Sequence, residues 1–193
     1  MDEAPRRMAQ VDGANQVLIT DAYKEQQKQL HAQGNYGVAS AGYAATVARL
    51  IDQYKVEILL DYGAGSKLTL IKTIGEQRLV KRKFHYVPYE PAVEAYSRSP
   101  DPADLVVCLD VLEHIEPDLL DNVLDDLKRV TAKIGFFTVS TGPAAKVLPD
   151  GRNAHLIQER AEWWLSKFTD RFTLQSFQNG HGGFIVLVSP LED

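Results

Sequence analysis

Cysteine is almost absent from this chain, with one residue, Cys108, among 193. A lone thiol excludes an intramolecular disulfide framework, and its place inside the apolar run LVVCL (105–109) marks it as a small buried hydrophobe. The composition therefore fits a reducing compartment, and a cytoplasmic location is expected. Long hydrophobic runs are also lacking. No segment approaches the ~18 apolar residues of a membrane helix, and the opening MDEAPRRMAQ has no apolar stretch of the signal-peptide kind, so no membrane partner is expected. Positive charge is in deficit: 21 Lys and Arg against 26 Asp and Glu leave a net charge of −5. Without a bulk basic field, stable nucleic-acid binding is not indicated. Repeats and low-complexity tracts are lacking as well. What is present, 45% hydrophobic and 24% charged residues, is the balance of a single globular domain with a real core.

The most informative stretch is ILLDYGAG (58–65). An apolar strand ends in Asp61, and Gly63 and Gly65 follow around Ala64. Glycines at such a turn let the backbone approach a nucleotide-like ligand that a Cβ would hold off. Around it, Ala44, Val47, Ala48, Ile51 and Tyr54 recur at helical spacing and predict a helix over 41–54. Strands are expected at 56–60, 84–89, 104–109 and 134–140. Helices are expected at 67–74, after Pro117, and around Trp163, Trp164 and Phe168. The segments 172–177 and 184–188, joined through QNGHGG, read as a terminal antiparallel pair. Strands alternating with helices imply a mainly parallel sheet covered on both faces. Residues 1–40 are expected to form an N-terminal arm or lid, and 41–193 a single domain.

This order, with its glycine turn, its second strand ending in an acid (YEP, 89–91) and its terminal hairpin, resembles class I S-adenosylmethionine-dependent methyltransferases. The implied fold is Rossmann-like, with the sheet trimmed around the third strand because only 92–103 separate two strands. In that family the first strand ends in D/E-x-G-x-G, matched here by Asp61, Gly63 and Gly65. The implied cofactor is S-adenosylmethionine, contacted by Asp61, Gly63, Ala64, Gly65, Glu90, Pro91, Asp110, Val111 and Leu112. Glu90 is the expected acceptor for the ribose diol, and Asp61 with nearby carbonyls would hold the ammonium end. Lys67 stands where the family often has a third glycine. The pattern QLH…YGV…LDYGAG and the tail PDGRNAHLIQ…WW resemble compact members encoded by phages and prophages.

DVLEHI (110–115) places Asp110, Glu113 and His114 just beyond a strand, and PDGRNAHLIQERAEWW (149–164) brings His155 to the same rim. This set resembles the metal site of small-RNA 3′-terminal 2′-O-methyltransferases, which implies Asp110, Glu113, His114 and His155 as ligands of a divalent metal. His114 or His155 acting as a metal-free general base is the competing expectation, since methyl transfer needs one deprotonated nucleophile on an in-line approach. Tyr23, His31 and Tyr36 are the expected contacts of an arm closing over the cofactor. Arg78, Lys81, Arg82 and Lys83 form a basic cluster that is either a solvated edge or a phosphate site. Trp163 and Trp164 are expected in the core with one lining the acceptor pocket, His181 is expected exposed, and Thr141 and Gly142 are pocket-lining candidates.

The expected activity is methyl transfer to a hydroxyl or amine of a small molecule, sugar or nucleotide-like acceptor. The alternative is a non-catalytic S-adenosylmethionine-binding module or methyltransferase subunit. The D/N-P-P-Y/F motif of DNA amino-methyltransferases is lacking, and so is a Pro-Cys nucleophile pair, which disfavours base methylation. The absent third glycine and the terminal hairpin also speak against a nicotinamide oxidoreductase.

Overall fold

The computed structural model describes residues 16–32 and 39–191. Tyr36 lies outside the described residues. Among the described residues the α-helices are α1 (Asp21–Ala32), α2 (Ala44–Gln53), α3 (Thr69–Glu76), α4 (Leu120–Val130) and α5 (Ala161–Thr169). The six strands are β1 (Ile58–Tyr62), β2 (His85–Tyr89), β3 (Ala103–Leu109), β4 (Thr131–Ser140), β5 (Phe172–Gly180) and β6 (Gly183–Pro190). They form one sheet in the order β2-β1-β3-β4-β6-β5. The first four are parallel and β6 runs antiparallel to both β4 and β5. β2 is an edge strand. The path from it to β3 holds only a one-turn 3-10 helix, Glu94–Tyr96, so the expected shortening at the third strand is what the sheet shows.

Alternation along the buried strands divides the core into two layers. Leu59, Leu105, Val107 and Phe136 face α2 and α3, where Val47, Ile51, Leu70 and Ile74 complete the packing. Leu60, Val106, Cys108 and Phe137 face α4 and α5. On that side α4 presents Leu120, Val123, Leu124, Leu127 and Val130, a stripe at helical spacing. Phe137, Phe168 and Phe172 pack ring against ring beneath it, with centroids 5.6 to 5.9 Å from Phe137. A third, smaller cluster joins Tyr23 and Leu30 of α1 to Leu148 and Ala154 of the β4–α5 connection.

Several boundaries differ from expectation. The 41–54 segment divides into a 3-10 turn, Ala39–Tyr43, and α2. β1 runs on through Asp61 to Tyr62 instead of stopping before the turn. α3 begins at Thr69 because Leu68 takes left-handed dihedrals (φ 51°) that a helix cannot include. Lys67 therefore sits in the turn, ahead of the helix. The hairpin is tighter than expected: Gln178 to Gly180 are in β5, and only His181 and Gly182 turn the chain. Trp164 is fully buried but Trp163 is 37% exposed, since adjacent residues on α5 point to different sides.

Candidate functional site

Parallel strands bring their carboxyl ends to one rim, and in open α/β sheets ligands bind there. A cavity of about 390 Å³ lies across that rim. Gly63 and Gly65 after β1, Glu90 and Pro91 after β2, Asp110 and Val111 after β3 form one half of it. Glu113, His114, Ser140, Ala144, Lys146 and His155 form the other half.

In the first half, the glycine turn is tied to β2: the Gly63 and Ala64 amides both donate to the Tyr89 carbonyl, at 2.8 and 3.0 Å. Gly63 has φ +84°, and a Cβ there would overlap the Val111 side chain, so glycine is required on both counts. The Glu90 carboxylate is oriented by two amides, Gly65 to Oε2 (3.3 Å) and Ala92 to Oε1 (3.1 Å). Each oxygen keeps further acceptor capacity for a ligand. Asp110 adopts φ +54°, a conformation Asp tolerates better than most residues. Its amide donates to Thr138 Oγ1 (2.9 Å), whose hydroxyl donates back to Asp110 Oδ1 (2.8 Å).

Three expected cofactor contacts do not reach the cavity wall. Asp61 is 2% exposed and accepts a hydrogen bond from the Tyr86 hydroxyl at 2.7 Å. Burial pushes its pKa up from 3.8 to about 7, with the Tyr86 bond opposing the shift. Leu112 is fully buried in the α4 layer, and Ala64 is buried in the turn.

In the second half, Glu113, His114 and His155 place one ligand-capable atom each within 4.8 Å of one another. The two imidazoles cross edge to face, with centroids 4.7 Å apart. A carbonyl only accepts, so each ring carries its proton on Nδ1: His114 Nδ1–H donates to Ala154 O (2.7 Å) and His155 Nδ1–H to Gly142 O (2.6 Å). The lone pair of each ring is thus on Nε2. Glu113 Oε1 accepts from the Ser140 amide (2.9 Å), while Oε2, buried, has no hydrogen-bond partner. Burial, reinforced by Asp110, lifts the Glu113 pKa to about 8. Burial lowers that of His114 to about 4, with His155 adding to the effect. Asp110 is not in this cluster. Its pairing with Thr138 and its left-handed backbone set it apart from the three, which corrects the four-ligand expectation.

The β4–α5 connection holds His155 in place through Asn153. The Asn153 side chain bonds both the amide and carbonyl of Ala144 (2.9 Å each), and its Oδ1 also accepts from the His155 amide (2.9 Å). Residues of the N-terminal segment line one side of the cavity. Thr20 bonds Glu116 through its amide and hydroxyl (2.8 and 2.7 Å), the Tyr23 hydroxyl donates to the His114 carbonyl (2.6 Å), and Gln26 donates to Asp150 (3.0 Å). Tyr23 and His31 line the cavity. Leu18, Ile19 and Gln27 line it too. They were not anticipated: Leu18 and Ile19 precede α1, and for Gln27 nothing local in that polar helix marks which side faces a ligand.

Other expected residues fall elsewhere. Neither tryptophan lines the cavity. Thr141 does not line it either, and Gly142 contributes only its carbonyl to His155. The basic cluster Arg78 to Lys83 precedes β2, at the opposite end of the sheet from the cavity, which removes it as a phosphate site for this rim. His181 is exposed in the hairpin turn.

No family model and no curated protein matches this sequence. Solved structures match it in fold, and they define the class: a Rossmann-like methyltransferase fold. The chain is similar to 1,6-didemethyltoxoflavin-N1-methyltransferase of Burkholderia thailandensis, solved with 1,6-didemethyltoxoflavin and S-adenosylhomocysteine, at 12% identity and TM-score 0.58 over 89% of each chain. It is similar to the N-methyltransferase NodS of Bradyrhizobium japonicum WM9 in complex with S-adenosylhomocysteine, at 11% identity and TM-score 0.53 over 86% of this chain and 100% of that one. It is also similar to an O-methyltransferase family protein of Burkholderia thailandensis, at 11% identity and TM-score 0.55, spanning 88% of this chain but only 59% of that one.

Proposed function

We propose that the protein is an S-adenosylmethionine-dependent methyltransferase acting on a hydroxyl or amine of a small-molecule, sugar or nucleotide-like acceptor. The observation that carries this is one cavity whose first half is a glycine turn beside an amide-oriented Glu90 and whose second half is a pair of histidines with Nε2 lone pairs. The residues fit the cofactor. Gly63 leaves room that a Cβ would take, Glu90 can accept from a ribose diol, and Asp110 with nearby carbonyls can face an ammonium group. When bound, S-adenosylmethionine would supply an electrophilic methyl group on a cationic sulfur. His155 Nε2 accepts the acceptor's proton, and its Nδ1–H bond to Gly142 leaves the lone pair on that nitrogen and the ring aligned. His114, held neutral by burial, fixes the other wall of the site.

The orphaned Glu113 Oε2 favours a second reading of the same cluster. Glu113, His114 and His155 would hold a divalent cation, with both histidines oriented by the carbonyls that take their Nδ1 protons. Such an ion would lower the pKa of an acceptor hydroxyl. The cytoplasmic setting rests on the buried Cys108 thiol, and the kinship to phage and prophage enzymes on the motifs in the sequence.

The test is calorimetric titration of S-adenosylhomocysteine into wild type and Glu90→Ala, followed by transfer of labelled methyl groups to phenol, sugar, amine and nucleoside pools by wild type and His155→Ala. Binding by the wild type that Glu90→Ala loses, with transfer that His155→Ala reduces at least about a hundredfold, is the expected result. Absence of binding to the wild type refutes the proposal. Titration of Mn²⁺ into the cofactor-free protein and into Glu113→Gln decides the cation reading, which fails if the wild type takes up no ion.

A further inference from the structure

α1 reaches both halves of the cavity. Its Tyr23 hydroxyl is on the His114 carbonyl, and eight residues along, on the same side of the helix, is His31. His31 Nε2 is 3.9 Å from Glu90 Oε2, with both side chains largely buried (8% and 12% exposed). That separation is too long for a direct hydrogen bond, yet a single oxygen about 2.8 Å from each atom would bridge them. The partners complement each other. A carboxylate accepts a hydroxyl's proton, and an imidazole N–H donates to the same oxygen. The amides of Gly65 and Ala92 already fix the Glu90 carboxylate from the protein side, and His31 approaches from the helix that covers it. Burial lowers the His31 pKa against the opposing charge of Glu90, which suits a neutral donor.

We propose that His31 is a cofactor-binding residue, its Nε2–H donating to the ribose hydroxyl whose proton Glu90 accepts. This rests on the methyltransferase reading of the cavity. Cofactor binding then fastens α1, and with it Ile19 and Tyr23, over the acceptor half.

The experiment measures S-adenosylhomocysteine affinity by calorimetry for wild type, His31→Ala, His31→Gln and Glu90→Ala, with amide hydrogen exchange over residues 21–32 with and without ligand at saturation. Removing one hydrogen bond weakens binding about tenfold in His31→Ala. Glutamine can place its amide N–H where Nε2 stands, so His31→Gln stays within about threefold of wild type. Ligand slows exchange in α1 of the wild type but not of His31→Ala. Unchanged affinity and unchanged α1 protection in His31→Ala, with Glu90→Ala impaired, overturn this inference and leave the methyltransferase reading standing. Equal losses in both His31 variants, with a lowered unfolding midpoint, mark a packing role and also overturn it. If the wild type does not bind, the cofactor reading itself falls.

Discussion

Asp61→Asn will make the protein more stable relative to wild type as the pH rises. Asp61 is buried to 2% exposure, and its pKa stands at about 7 in the fold against an ordinary 3.8. The folded chain therefore keeps a proton that the unfolded chain has already lost, and unfolding releases it across the window between those values. Stability falls as pH rises through that window, by about 4 kcal/mol in full and by about 2–3 kcal/mol between about pH 5 and about pH 8.5. Asparagine cannot ionise, and its side-chain oxygen can still accept from Tyr86. The unpaired amide N–H of the variant costs about 1–3 kcal/mol, but that penalty is the same at both pH values. Glu113, also raised, is present in both proteins and cancels. Urea unfolding of both proteins at the two pH values measures the change in their difference. A difference constant to within about 0.5 kcal/mol would refute the reasoning, since the Asp61 proton would then not be linked to folding.

Gly63→Ala combines a left-handed backbone with an overlap against Val111, and it should cost about 2–4 kcal/mol in chemical denaturation. The folded fraction should also bind S-adenosylhomocysteine more weakly, because Val111 is part of the cavity wall; wild-type affinity would show that the displaced side chain has no part in binding. Asp126→Ala removes the acceptor of the buried Tyr62 hydroxyl (2.9 Å) and of Arg129 (2.7 Å). It should lower stability by about 3 kcal/mol, and a loss under about 1 kcal/mol in urea would mean that the two donors find other partners.

The glycine turn, the acid after β2 and the strand–helix alternation were legible in the sequence because each depends on neighbours in the chain. Side-chain direction at the site was less so. Asp61 looked like a ligand contact from its place at a strand end, but a tyrosine 25 residues later on the adjacent strand draws it inward. A resemblance grouped Asp110 with Glu113 and His114, yet Thr138, from β4, pairs with it instead. Strand order brought His114 and His155 to one rim, and only their joint role as ligands came from a resemblance. The local organiser of that meeting, Asn153, carried no signal of its own within a turn-rich stretch. Docking of α1 was the hardest part to foresee. The helix has few apolar anchors, and its partners are a loop and the rim, so amphipathicity gives little guidance.

The short connection between β2 and β3 has one more effect. Among the described residues it leaves β2 with no strand on its outer side, and unpaired strand edges are templates for pairing with another chain. Within that strand, opposite Asp61, lies Pro88. Proline has no N–H to give to a ladder and is confined to edge strands and bulges. Any extra strand laid along β2, from this chain or a neighbouring molecule, would turn it into an interior strand that its own sequence cannot sustain. The residue that suits the shortened sheet thus also guards it against aggregation at the margin closest to Glu90.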